Sequence, residues 1–70
     1  NKERAEFQTM EETIQKAEAE VVRLQGELET PGQDARRLQA AATALGAAQA
    51  RVEQLYARWA DLEARIAAGG

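Results

Sequence analysis

The sequence contains neither histidine nor cysteine. Thiolate nucleophiles, imidazole bases, disulfides and the commonest transition-metal ligand sets are therefore out of its reach, and its redox compartment leaves no trace. Large aromatics are almost absent too, with one each of Phe7, Tyr56 and Trp59. No apolar run approaches the roughly 18 to 20 residues that cross a bilayer, and the opening "NKERAEFQTM" lacks the basic-then-apolar order of a signal peptide. These absences point to a soluble, cytoplasmic chain, and the polar start without methionine reads as a piece of a longer protein. At 70 residues there is room for one small domain and for no deep, enclosed pocket.

What the sequence does have is periodicity. In the first half, apolar residues stand at Phe7, Met10, Ile14, Ala17, Val21, Leu24 and Leu28, with spacings of three and four in strict alternation. The second half repeats the alternation through Leu38, Ala41, Leu45, Ala48, Val52, Leu55, Trp59, Leu62 and Ile66. This is the a/d pattern of a heptad, and it gives each of two helices one narrow apolar seam. Between them "ETPGQD" sets Pro31 and Gly32 to stop one helix and Asp34 to cap the next. The spacing predicts helix one over about residues 2–29, a turn over 30–34 and helix two over about 35–67, with "AGG" fraying at the end.

So short a turn forces neighbouring helices to run antiparallel, so the expected fold is all-α, a two-helix antiparallel coiled-coil hairpin, monomeric rather than a long helical homodimer. Layers that join an a position to a d position need paired residue numbers with a constant sum, and the heptads allow 62 or 69. The sum of 69 sets Met10 opposite Trp59, Phe7 opposite Leu62, Ile14 opposite Leu55 and Leu24 opposite Leu45. The sum of 62 would instead set Trp59 against Glu3, a poor layer, so 69 is preferred. Beside the seam, helix one carries Glu6, Thr13, Glu20 and Glu27, and helix two carries Arg37, Ala44, Arg51, Arg58 and Arg65. Acid then faces base, with Glu20 expected near Arg51 and Glu6 near Arg65. Tyr56 is expected on the flank near Glu11, and Trp59 in the seam as a core residue.

Catalytic and ligand motifs do not emerge. The glycines form neither a phosphate-binding P-loop nor a dinucleotide fingerprint, and no GK[ST] follows any of them. Glu11, Glu12, Glu18 and Glu20 are better read as a solvated helix face than as a metal cluster. No catalytic residue, metal ligand or cofactor is assigned, and the chain is not expected to be an enzyme.

The string "MEETIQKAEAEVVRLQGELETP", a loop, and "LQAAATALGAAQARVEQLYARWADLEA" together resemble the C-terminal coiled-coil domain of Uup-type ABC-F ATPases. The most specific part is the close, with Tyr56, Trp59, Leu62 and Glu63 in the family's order. The opening "KERAEFQTMEETI", with Glu3, Arg4, Glu6 and Ile14, is similar to the start of the family's first helix. One departure is the loop "TPGQDA", shorter than the family's loop. The resemblance implies a cytoplasmic parent with two upstream nucleotide-binding domains that use ATP and Mg. It further implies that this tail contacts nucleic acid, either DNA or the ribosome.

The overall charge of −3 works against phosphate binding, so any such contact must be local. The candidates are Arg36 and Arg37 near the tip, then Arg51 and Arg58 along one stripe, with Lys16 across the hairpin. Salt bridging to Glu6, Glu20 and Glu27 is the competing role for the stripe. A second reading makes the hairpin a protein-interaction or spacer arm. Its acidic helix one would then dock on the parent's ATPase domains or on a ribosomal protein.

Overall fold

The computed structural model describes residues 2–69 and contains two helices, α1 (Lys2–Glu29) and α2 (Ala35–Gly69), packed along each other as a hairpin. Its extents are 54 × 15 × 14 Å. Such a rod buries a strip rather than a globular core, which is what one narrow seam per helix can supply. Helix α2 runs two residues past the predicted end, through Ala68 to Gly69. Asn1 and Gly70, the last residue of the predicted frayed end, lie outside the described residues.

The turn is made by its own side chains and backbone. Helix α1 closes where the Thr30 N–H donates to the Glu27 carbonyl at 3.3 Å and its hydroxyl donates to the Gly26 carbonyl at 3.0 Å. The Gln33 side-chain amide also donates to the Glu27 carbonyl, so the last turn of α1 keeps few orphan acceptors. Pro31 follows, and Gly32 takes φ of +82°, a left-handed conformation that costs other residues roughly 1–2 kcal/mol. Helix α2 then opens on Asp34, whose Oδ1 accepts the Arg37 N–H at 2.8 Å while its carbonyl accepts the Leu38 N–H at 3.1 Å. Asp34 is thus the N-cap, with its bond to the third helical residue.

Among the described residues six apolar side chains are buried: Met10, Ile14, Leu24, Ala41, Leu55 and Leu62. Leu62 is the most enclosed, at 0% exposure, and it belongs with Met10, Ile14 and Leu55 to one cluster against which Phe7, Ala17 and Trp59 pack. Leu45 is half-buried nearer the loop. The large side chains thus gather at the open end, where Phe7 and Trp59 meet with ring centroids 6.5 Å apart and planes tilted by 53°. Trp59 in turn lies 6.2 Å from Tyr56.

The contacts across the hairpin fit the sum of 69 and not 62. Residues that flank the seam meet displaced symmetrically about the sum of the seam layers, and Glu6 with Arg58 adds to 64 while Glu18 with Tyr56 adds to 74. The cluster of Met10, Ile14, Leu55 and Leu62, with Phe7, Ala17 and Trp59 against it, is made of consecutive layers of that register. Trp59 stands in the layer next to that of Phe7 and meets its ring from there. Large residues meet large ones at the open end, as that register expects.

Candidate nucleic-acid interface

Antiparallel packing divides the hairpin lengthwise into two sides, and five of the nine basic residues line grooves on one of them. Three shallow grooves on that side are lined by Lys16 and Arg51, by Arg51 and Arg58, and by Arg23 and Arg37. The sequence places them there because Arg37, Arg51 and Arg58 share one heptad position, with Ala44 at the intervening repeat, while Lys16 and Arg23 stand seven apart on α1.

Two of the predicted cations are engaged. Arg58 donates from Nε and Nη2 to the two carboxylate oxygens of Glu6 at 2.9 and 3.0 Å, and from Nη1 to Asp61 at 3.1 Å. This two-pronged bond from Arg58 holds the Glu6 carboxyl below the usual glutamate range, against the opposing push of desolvation. The same bond raises the Arg58 guanidinium further above its ordinary value. Lys16 pairs with Glu12 on its own helix at 3.3 Å, and that pair is well exposed.

The expected cross-pairs are replaced by others. Arg65 reaches Glu3 and Asp61, each at 3.0 Å, instead of Glu6. Glu20 is bound by Arg23 of its own helix instead of Arg51, and Arg23 also reaches Glu27 at 3.0 Å. The hydrogen bond from Arg23 lowers the Glu20 pKa. These intrahelical bridges were there to be found in the sequence, because Glu20, Arg23 and Glu27 stand at i, i+3 and i+7 of one helix face.

Three candidates keep their charge uncommitted. Among the described residues Arg36, Arg37 and Arg51 make no ion pair within 4.0 Å, and all three are exposed. Arg36 and Arg37 stand on the first turn of α2 at the tip of the rod. The Arg37 backbone N–H is already spent on Asp34, so this end offers an anion chiefly its side chains. Arg51 lies 14 residues further along, about 21 Å at 1.5 Å per residue.

The aromatic pair contributes little to this side. The Tyr56 hydroxyl donates to Glu18 Oε2 at 2.9 Å, across the hairpin and one heptad away from the expected Glu11. That bond raises the Tyr56 pKa, because ionising the phenol would set two negative oxygens together. The Trp59 indole Nε1 is buried without a hydrogen-bond partner among the described residues, and the ring packs in the seam. Neither ring stands open beside Arg36, Arg37 or Arg51. Among the described residues no three acidic side chains converge on a metal-sized site, and no helix is long and apolar enough to cross a membrane.

Searches of the curated proteins and of the solved structures return no significant match. A family model does match, over residues 1–64, and it is that of the ABC transporter C-terminal domain. The chain therefore belongs to the ABC transporter C-terminal domain family and is an accessory domain of an ABC protein.

Proposed function

We propose that this hairpin is the non-catalytic tail of a Uup-type ABC-F ATPase and gives its cytoplasmic parent a contact with nucleic acid, either DNA or ribosomal RNA. What carries the reading is the pair Arg36 and Arg37: two exposed guanidiniums, free of ion pairs among the described residues, at the tip of a rod 54 Å long. Arg51 supplies a second point about 21 Å along the same rod, a separation that spans roughly six phosphates at 3.4 Å per strand unit. Lys16 and Arg58 drop to a supporting role because carboxylates already hold them. In the parent, ATP and Mg belong to the nucleotide-binding domains, and the tail delivers them to, or holds them against, a polyanion.

Binding of this kind ignores base sequence, since among the described residues both helices are committed to each other, and it is steeply salt-dependent. With three phosphate contacts, log K falls against log salt with a slope of about −2 for single strands to about −3 for duplex. The test is a titration of labelled duplex and single-stranded DNA, and of a ribosomal RNA fragment, at several salt concentrations. Arg36→Glu with Arg37→Glu is expected to abolish binding at moderate salt. Arg58→Gln is expected to leave the slope unchanged. Absence of binding by the unaltered chain at low salt would refute the reading.

A further inference from the structure

The side of the hairpin turned away from the arginines has its own chemistry. Between residues 8–29 of α1 and 39–63 of α2, the four basic residues Lys16, Arg23, Arg51 and Arg58 all line the grooves of the opposite side. The groove on this side is floored by Val21 and Val52, with Glu18 and Glu53 as acidic walls and Gly46 and Ala50 as small ones. Val22 borders it at 66% exposure, the most exposed large apolar side chain described, and it also borders a second hollow that continues past Gln25 to Glu29.

Three observations converge on one occupant. An exposed valine beside an apolar floor asks for apolar cover. A Cβ built on Gly46 meets nothing within 4 Å, and with Ala50 next to it this wall lets a partner backbone come close. The charge lining the groove is all negative, which repels a second copy of the same acidic face and attracts a cation-bearing partner.

We propose that this groove docks an amphipathic helix of another polypeptide, with small apolar residues facing Val21, Val22 and Val52 and Lys or Arg flanking them to meet Glu18 and Glu53. From Glu18 to Glu29 the groove measures about 17 Å, enough for roughly three helical turns. The docked helix completes a three-helix bundle. This surface is separate from Arg36, Arg37 and Arg51, so the domain would hold a protein on one side and a polyanion at its tip.

The test uses the 70-residue chain and a fluorescein-labelled peptide of 14 residues with alanine and leucine on one helical face and lysine on the other, read by anisotropy. A peptide with glutamate in place of lysine serves as the charge control. The lysine peptide is expected to bind and the glutamate peptide not to. Gly46→Gln, which fills the groove without changing charge, is expected to weaken binding about tenfold, and Val22→Lys by at least as much. Ala47→Gln sets the same side chain on the opposite side and is expected to have no effect, as is Arg36→Glu with Arg37→Glu. Equal binding by Gly46→Gln and the unaltered chain, or no binding at low salt, overturns the proposal. So does a dimer in light scattering that Val22→Lys dissociates, because that assigns the face to a second copy. Failure of this surface leaves the DNA titration untouched, and failure of DNA binding leaves the peptide result untouched.

Discussion

Arg58 in α2 holds both carboxylate oxygens of Glu6 in α1, at 2.9 and 3.0 Å, and so fastens the open end of the hairpin from outside the seam. The contact joins residues 52 apart in sequence, in a molecule whose other ion pairs are mostly within one helix. It adds to the preference for the register that the seam sets and contributes little to stability, since both side chains remain partly in water. Glu6→Arg and Arg58→Glu are each expected to lower the melting temperature by a few degrees at most, and the double exchange to restore it. Thermal unfolding followed by circular dichroism, run as a double-mutant cycle, measures the coupling. A coupling of zero would show that the pair has no role in register.

The pH dependence follows from the same contact. Glu6 and Glu20 both hold their protons less readily when folded than an unfolded glutamate does, because Arg58 and Arg23 bond to their carboxylates. As pH falls, the unfolded chain therefore takes up protons first. The stability these bonds contribute is full above about pH 5 and is lost as pH falls through the depressed folded values. Urea midpoints are expected to be level from neutral pH to about 5 and to decline below that, and Glu6→Gln is expected to make the decline shallower. An acid limb identical in Glu6→Gln would dissociate it from the clamp.

The architecture was open to reading from the sequence because two signals are strictly local. Alternating spacings of three and four specify a helix with one seam, and Pro31, Gly32 and Asp34 specify a stop, a reversal and a cap. Register was open as well, because of the two sums the heptads allow only 69 keeps Trp59 off Glu3 and in an apolar layer. The partners of the flanking side chains were not open in that way. Those side chains are long and lean along their helices, so Glu6 meets Arg58 rather than Arg65 and Tyr56 meets Glu18 rather than Glu11, each one heptad from the expected partner. The arginines near the tip were legible as candidates, but which cations stay free depends on those same pairings.

Tyr56 provides a spectroscopic reading of the cross-hairpin contact. Its hydroxyl donates to Glu18, and that bond raises its pKa. The stability the bond contributes is present below the unfolded tyrosine value near 10 and is lost as pH rises through the higher folded value. An ultraviolet titration of the folded chain is expected to place the phenol midpoint above that of the urea-unfolded chain, and Glu18→Gln to bring it down. A midpoint that Glu18→Gln leaves in place would mean the bond does not persist in solution.

The open-end cluster is where the hairpin is most easily broken. Leu62 is wholly buried, and Leu62→Ala is expected to cost about 2–5 kcal/mol, most of what a two-helix domain of this size possesses. Trp59→Phe differs in kind. It keeps an aromatic ring against Phe7 while removing an indole N–H that is buried without a partner, so the expected loss is below about 1.5 kcal/mol. Chemical denaturation of both variants checks the order. A Trp59→Phe loss as large as that of Leu62→Ala would show that the indole fills space phenylalanine cannot.

Asp34 couples the fold to the proposed nucleic-acid contact and allows the two to be separated. Its carboxylate caps α2 through the Arg37 N–H, yet it also sets a negative charge at the helix start that carries Arg36 and Arg37, where it repels a phosphate. Asparagine caps a helix about as well as aspartate, whereas alanine loses about 1 kcal/mol. Asp34→Asn is therefore expected to leave the melting temperature nearly unchanged and to tighten DNA or RNA binding several-fold at low salt, with the gain shrinking as salt rises. Asp34→Ala is expected to tighten binding while lowering the melting temperature. If Asp34→Asn binds no better than the unaltered chain, phosphate does not approach the start of α2, and the contact must move down the rod toward Arg51.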